Sequence, residues 1–129
     1  MNFVGLLKTM PGFIGSDGRS DETIVAAEKT LNTSFAQDYR AYLGEIGLAC
    51  FDGHELTGLT RTIRLDVISV TQEYRKLSSK MTASWYVVEE VGMDGIVIWQ
   101  SSDGTVYATA PNSKPKKIAS SLSEYIIGR

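Results

Sequence analysis

The stretch that most constrains this chain is WYVVEEVGMDGIVIWQSSDGTVYAT, residues 85–109. It holds three runs rich in β-branched and aromatic residues, separated by Asp94-Gly95 and Asp103-Gly104. Such runs favour extended backbone. Asp-Gly supplies the positive φ angles that tight hairpin turns require. A calcium loop would need oxygen ligands at alternating positions, whereas Asp94 is followed by Gly, Ile, Val and Ile. A phosphate cradle would lead from glycines into a helix, and here each glycine leads into a strand-like run. The four residues Asp94, Gly95, Asp103 and Gly104 are therefore read as turn-formers of an antiparallel meander. Ile96–Trp99 is apolar throughout, as a central strand covered on both faces should be.

The rest of the chain is predominantly helical in pattern. Residues 1–9 suit a short helix or arm, with Phe3, Val4, Leu6 and Leu7 in need of cover, and Pro11 to Ser20 reads as a loop. Residues 1–20 are accordingly assigned as an N-terminal arm and loop, and residues 21–129 as the folded domain. Ser20 or Asp21 can cap a helix carrying Ile24, Ala27, Glu28 and Leu31 on one face. A second helix presents Phe35, Tyr39, Tyr42, Leu43 and Ile46 and ends at Gly47, a left-handed stop residue. The segment LACFDGHELTGLTRTIRL predicts a loop with a short strand around Thr62 to Leu65. Asp66 caps a third helix with Val67, Val70, Thr71, Tyr74, Leu77 and Met81 in register, while Gln72, Glu73, Arg75 and Lys76 face solvent. Lys114 to Lys117 reads as a polar connection, and Ser121 with Glu124 has capping-box spacing before a terminal helix. The element order is helix, helix, strand, helix, three strands, helix.

Composition narrows the function classes. Among 129 residues, 13 basic and 15 acidic side chains give a formal charge of −2, without the clustered cations that nucleic-acid binding demands. The segment NSKPKK brings lysines without interleaved aromatics and makes a poor nucleic-acid platform. No apolar run approaches the roughly 20 residues that span a bilayer, and no signal peptide is read at the N-terminus. The single cysteine, Cys50, excludes an internal disulfide and a multi-thiolate zinc site; its apolar neighbours suit an inert buried thiol. The expectation is a cytoplasmic domain with no nucleic-acid or membrane partner.

The candidate chemical residues are few. His54 stands beside Asp52 and Glu55 and four residues from Cys50, but catalytic Cys and His are joined by a fold rather than by local spacing. Glu28 occupies the apolar stripe of its helix, where a carboxylate must find a donor. It is read as a structural residue that bonds an amide, Arg or Tyr. Glu89 and Glu90 fall on opposite faces of a strand, so at least one faces solvent and suits a basic partner. No nucleophile elbow, metal cluster or dinucleotide fingerprint is present. Catalytic, metal and cofactor roles are accordingly assigned to no residue. Asp52, His54, Glu55, Glu89 and Glu90 are the candidates for partner contact; Glu28, Tyr39, Gly47 and the two Asp-Gly pairs are structural.

The segment IVAAEKTLNTSFAQDYRAYLGEIG resembles the opening of the SUKH superfamily, which groups fungal cell-wall-assembly regulators with bacterial toxin-immunity proteins. The family pattern of an apolar residue, Glu, Leu, then Leu-Pro-x-Asp-Tyr, an apolar residue and Gly falls on Ile24, Glu28, Leu31, Phe35, Asp38, Tyr39, Leu43 and Gly47. Ala36 stands where the family has proline and Phe35 where it has leucine. HELTGL, the Asp66-Val67 helix start, GMDGIVIWQSSDGTVYA and IASSLSEYI extend the resemblance over about residues 21–127. The resemblance implies a single α+β domain, a twisted, largely antiparallel sheet with helices packed against it. It also implies a non-enzymatic immunity protein, monomeric or weakly dimeric, that occludes a cognate toxin, often a nuclease. The alternative it implies is a regulator or scaffold of cell-wall assembly.

Overall fold

The computed structural model describes residues 2–77 and 82–128; Met81 lies outside them. The helices are α1 (Phe3–Thr9), α2 (Asp21–Leu31), α3 (Gln37–Glu45), α4 (Val67–Leu77) and α5 (Leu122–Ile127). Strands β4 (Tyr86–Glu90), β5 (Val97–Gln100), β6 (Val106–Thr109) and β7 (Lys116–Ala119) form an antiparallel meander in chain order. A smaller antiparallel sheet contains β1 (Ile14–Gly15), β2 (Ala49–Phe51) and β3 (His54–Glu55). The fold is α+β, with two sheets rather than one. They meet where Thr57 N donates to Val88 O at 2.8 Å, beside an antiparallel bridge between Leu56 and Glu89.

Each face of the meander has its own cover. Tyr86, Val88, Ile98, Val106 and Ala119 pack with α1, α2, α3 and α5 in the main core. Val87, Val97 and Trp99 face the other way, with Trp85, against Val70 and Tyr74 of α4. β5 is consequently buried along its whole length. The stretch before residue 21 joins this packing, since α1 places Phe3, Val4 and Leu7 in the main core.

Local chemistry explains the helix ends. Ser20 Oγ accepts from Thr23 N at 3.2 Å, and Ser121 Oγ accepts from Glu124 N at 3.1 Å. Asp66 Oδ2 accepts from Ser69 N at 3.2 Å at the start of α4. Gly47 has φ 79°, and a Cβ there would stand 2.6 Å from both the Arg19 guanidinium and Asp17 O. Both the left-handed backbone and the crowding require glycine.

Several sequence expectations change. Thr62 to Leu65 is no strand: Ile63–Leu65 forms a 3-10 turn, with Leu65 N donating to Thr62 O at 2.9 Å. The reading of 48–58 as a loop misses β2 and β3, joined by Asp52-Gly53 at φ 43° and 80°. Lys114 to Lys117 is not only a connection, because Lys116 begins β7, pairing with Ala108. Lysines on this edge strand hinder pairing with other chains. Cys50 is half-buried on β2 rather than sequestered.

Candidate functional site

Several of the polar residues singled out by the sequence are consumed inside the fold. Glu28 Oε2 accepts from Phe35 N at 2.8 Å and Oε1 from Arg40 at 2.7 Å, while Arg40 also reaches Asp21 at 2.9 Å. The two carboxylates hold the Arg40 pKa above its ordinary value. Asp38 Oδ1 accepts from Tyr39 N and from Gln100 Nε2, and Oδ2 accepts from Leu122 N, the first residue of α5. Tyr39 is fully buried, and its hydroxyl meets Thr57 Oγ1 at 2.8 Å. Thr57 Oγ1 in turn donates to Val87 O at 2.7 Å, and Tyr42 donates to Thr57 O at 2.8 Å. Burial raises the pKa of Tyr39, Tyr42 and Tyr86 far enough that all three remain neutral donors.

His54 and Glu89 are brought together in the interior. His54 Nδ1 lies 2.8 Å from Glu89 Oε2, and Tyr125 Oη donates to Glu89 Oε1 at 2.6 Å. A bulge in β4 makes this possible: Val87 pairs with Trp99 and Glu89 with Ile98, so Val88 is extra. Val88 and Glu89 therefore both face the main-core side, and Glu90 faces α4. Glu89 is 3% exposed, which makes it an internal residue rather than a surface contact. His54 stacks on Phe51 with ring centroids 5.2 Å apart. His54, Glu55 and Glu28 do not assemble into one pocket; each is bonded to a different residue. Among the described residues, no three His, Cys, Asp or Glu side chains are placed to hold a metal ion.

The exposed candidates gather elsewhere. Glu55 is clamped by Arg64 through two bonds, at 2.9 and 3.1 Å, and that guanidinium lowers its pKa. Glu90, at the end of β4, accepts from Tyr74 Oη at 3.0 Å. Burial, and then Glu90, raises the Tyr74 pKa and keeps that donor protonated. Arg64 and Glu90 both line a groove of about 580 Å³, together with Ile63, Val70, Tyr74 and Leu77 among others. Ile63 is 74% and Leu77 79% exposed. A wider cleft of about 800 Å³ adjoins it at Tyr74 and Leu77, but its lining is dominated by residues 109–115, and among the described residues Lys114 is its one charged side chain. Asp52 sits apart on the β2–β3 turn. Glu55 and Glu90 are among the candidates for partner contact in the sequence, whereas Ile63 and Arg64 are not, because a 3-10 turn carries no sequence period.

The fold and this surface define a class: a small α+β domain whose buried polar groups lock its elements and whose outer face offers an apolar groove edged by charge. The family SUKH_5, described as SMI1-KNR4 cell-wall, matches residues 5–127. The chain belongs to this family, and the match includes α1 from Gly5 onward as well as the later elements. No curated protein matches the chain significantly. No described helix is long and apolar enough to cross a membrane.

Proposed function

We propose that this chain is a cytoplasmic, non-enzymatic protein-binding module, an immunity protein that neutralises a cognate toxin by covering it. Family membership over residues 5–127 supports a binding role. The single observation that carries the reading is the division of polar labour. Glu28, Asp38, His54 and Glu89 are engaged in holding elements together, whereas Ile63, Leu77, Glu55 and Glu90 are presented outward. Exposed apolar side chains rimmed by charge are what interfaces are built from. A nuclease, with its cationic substrate site, is the toxin type that suits acidic contacts such as Glu90. No cofactor, nucleic acid or membrane enters the mechanism, and a monomer or weak homodimer suffices.

The experiment is coexpression with the toxin candidate encoded beside this chain. The expected result is survival of the host and co-purification of a stoichiometric complex. Continued killing without a complex would overturn the reading. The second reading, a regulator or scaffold of cell-wall assembly, draws on the words of the family description. It would be favoured by a genomic neighbourhood without toxin genes and by a cell-wall phenotype on deletion.

A further inference from the structure

We infer that the groove formed by the 3-10 turn, α4 and the end of β4 docks a partner segment that presents a basic side chain beside aliphatic ones. The cation meets Glu90, and the aliphatic groups lie along Ile63 and Leu77. The inference rests on the protein-binding reading and specifies its surface and the chemistry of its partner.

Charge complementarity selects the occupant. Among the described residues, the two cations lining the groove are already paired: Arg64 with Glu55 at 2.9 Å, and Lys76 with Glu73 at 3.6 Å. Glu90 has no ion pair among the described residues, yet its carboxylate is exposed and oriented by the Tyr74 hydroxyl at 3.0 Å. An acceptor held in place loses little freedom when a guanidinium or ammonium reaches it. Glu90 also contributes to the field at Arg64, so the Glu55–Arg64–Glu90 row presents two carboxylates to one guanidinium. An acidic partner would meet a net negative edge, whereas a basic one would be drawn to it.

The apolar half is set by neighbouring elements. Ile63 projects from the 3-10 turn with 74% exposure, and Leu77 ends α4 with 79% exposure. Tyr74, one helical turn before Leu77, lies in the groove and carries the Glu90 contact. Aliphatic groups of a segment laid along this groove would remove Ile63 and Leu77 from water, while the flanking ion pairs remain as a polar rim.

The test uses the whole chain and, as probe, an inactivated form of the protein encoded by the adjoining gene, with binding followed by calorimetry. Glu90→Lys and the double variant Ile63→Ser/Leu77→Ser are each expected to weaken binding by about tenfold or more. Glu90→Gln should weaken it less and flatten its salt dependence. Lys29→Glu, on the exposed side of α2, should leave affinity unchanged; thermal melts establish that each variant is folded. A Lys or Arg→Glu change in the partner that restores binding to Glu90→Lys would identify the cation. Undiminished binding by the groove variants would overturn the inference and leave the protein-binding reading standing. Failure of the unmodified chain to bind would overturn both. Self-association of the chain that is abolished by Leu77→Ser would overturn the proposed occupant in favour of a second copy.

Discussion

Ala36 shows how one residue can depart from a family pattern and become committed to the departure. Its φ of −62° would suit proline at the start of α3. Its amide, however, donates to Tyr86 Oη at 2.9 Å, and that hydroxyl donates onward to Gln100 Oε1 at 2.6 Å. Gln100 then reaches Asp38 and Gly104 O, so the Ala36 amide belongs to a chain of bonds from α3 through β4 to β5. A proline ring carbon would stand about 1.5 Å from the same nitrogen, directly between it and the tyrosine oxygen. Ala36→Pro is therefore expected to destabilise by about 2 kcal/mol, despite the stiffer unfolded chain. Tyr86→Phe alone should also destabilise, by about 1–3 kcal/mol, because it leaves buried polar groups without a partner. The double variant should be more stable than the sum of the two effects, since the clash is gone. Urea denaturation of the four proteins measures this coupling; strict additivity, or a neutral Ala36→Pro, would show that the ring is accommodated some other way.

At the level of elements, the Asp-Gly turns differ in their chemistry. Asp94 and Gly95 both have positive φ, at 53° and 69°, while at the second pair only Gly104 does, at 96°. Asp103 instead uses its side chain, accepting from Ser101 Oγ and from Thr105 N at 2.9 Å. Those bonds, with the Ser101 hydroxyl foremost, lower its pKa to about 2. A depressed folded-state pKa stabilises above the ordinary value of 3.8. That stabilisation is lost as pH falls from there toward about 2. The stability advantage of the wild type over Asp103→Asn should thus be constant above about pH 5 and shrink between pH 4 and 2. Urea midpoints across that range test it, and a pH-independent difference would refute it. Elements with a sustained period were legible from sequence: α2, α3, α4 and the β4–β6 meander repeat their apolar residues often enough to define a face. β2 and β3 were not, because strands of three and two residues have no room for a period. Their one signal was Asp52-Gly53, the same dipeptide that marks the other turns. β7 was hidden because Lys116, Lys117 and Ile118 are all exposed, so an edge strand carries a connection's composition. Of the candidate site, Glu55 and Glu90 were visible as candidates for partner contact, although strand alternation alone does not decide which of Glu89 and Glu90 faces solvent. The groove was not, since it joins residues from separate elements that only the fold brings together.

Across the whole molecule, the two sheets are held at a short seam, and Glu89 is its polar centre. The carboxylate connects β4 of the large sheet to His54 of the small one and to Tyr125 of α5. Next to it, Thr57 N–H to Val88 O and the Leu56–Glu89 bridge supply the backbone continuity. The β4 bulge directs this residue inward, so the seam depends on one irregularity in strand register. A buried carboxylate shared by two polar side chains is costly to replace by an apolar group alone, because the partners remain. Glu89→Leu is expected to destabilise by about 3–5 kcal/mol. Glu89→Gln keeps the shape and an acceptor, and should cost about 1 kcal/mol. The loss should also be uneven. Amides of the small sheet, such as Leu56 N, which donates to Ala49 O at 3.1 Å, should exchange faster in Glu89→Gln. Those of β5, buried along its whole length, should still open only with global unfolding. Hydrogen exchange under native conditions separates the two groups. A uniform acceleration across both sheets would mean that the seam does not divide the molecule, and that the two sheets unfold as one unit.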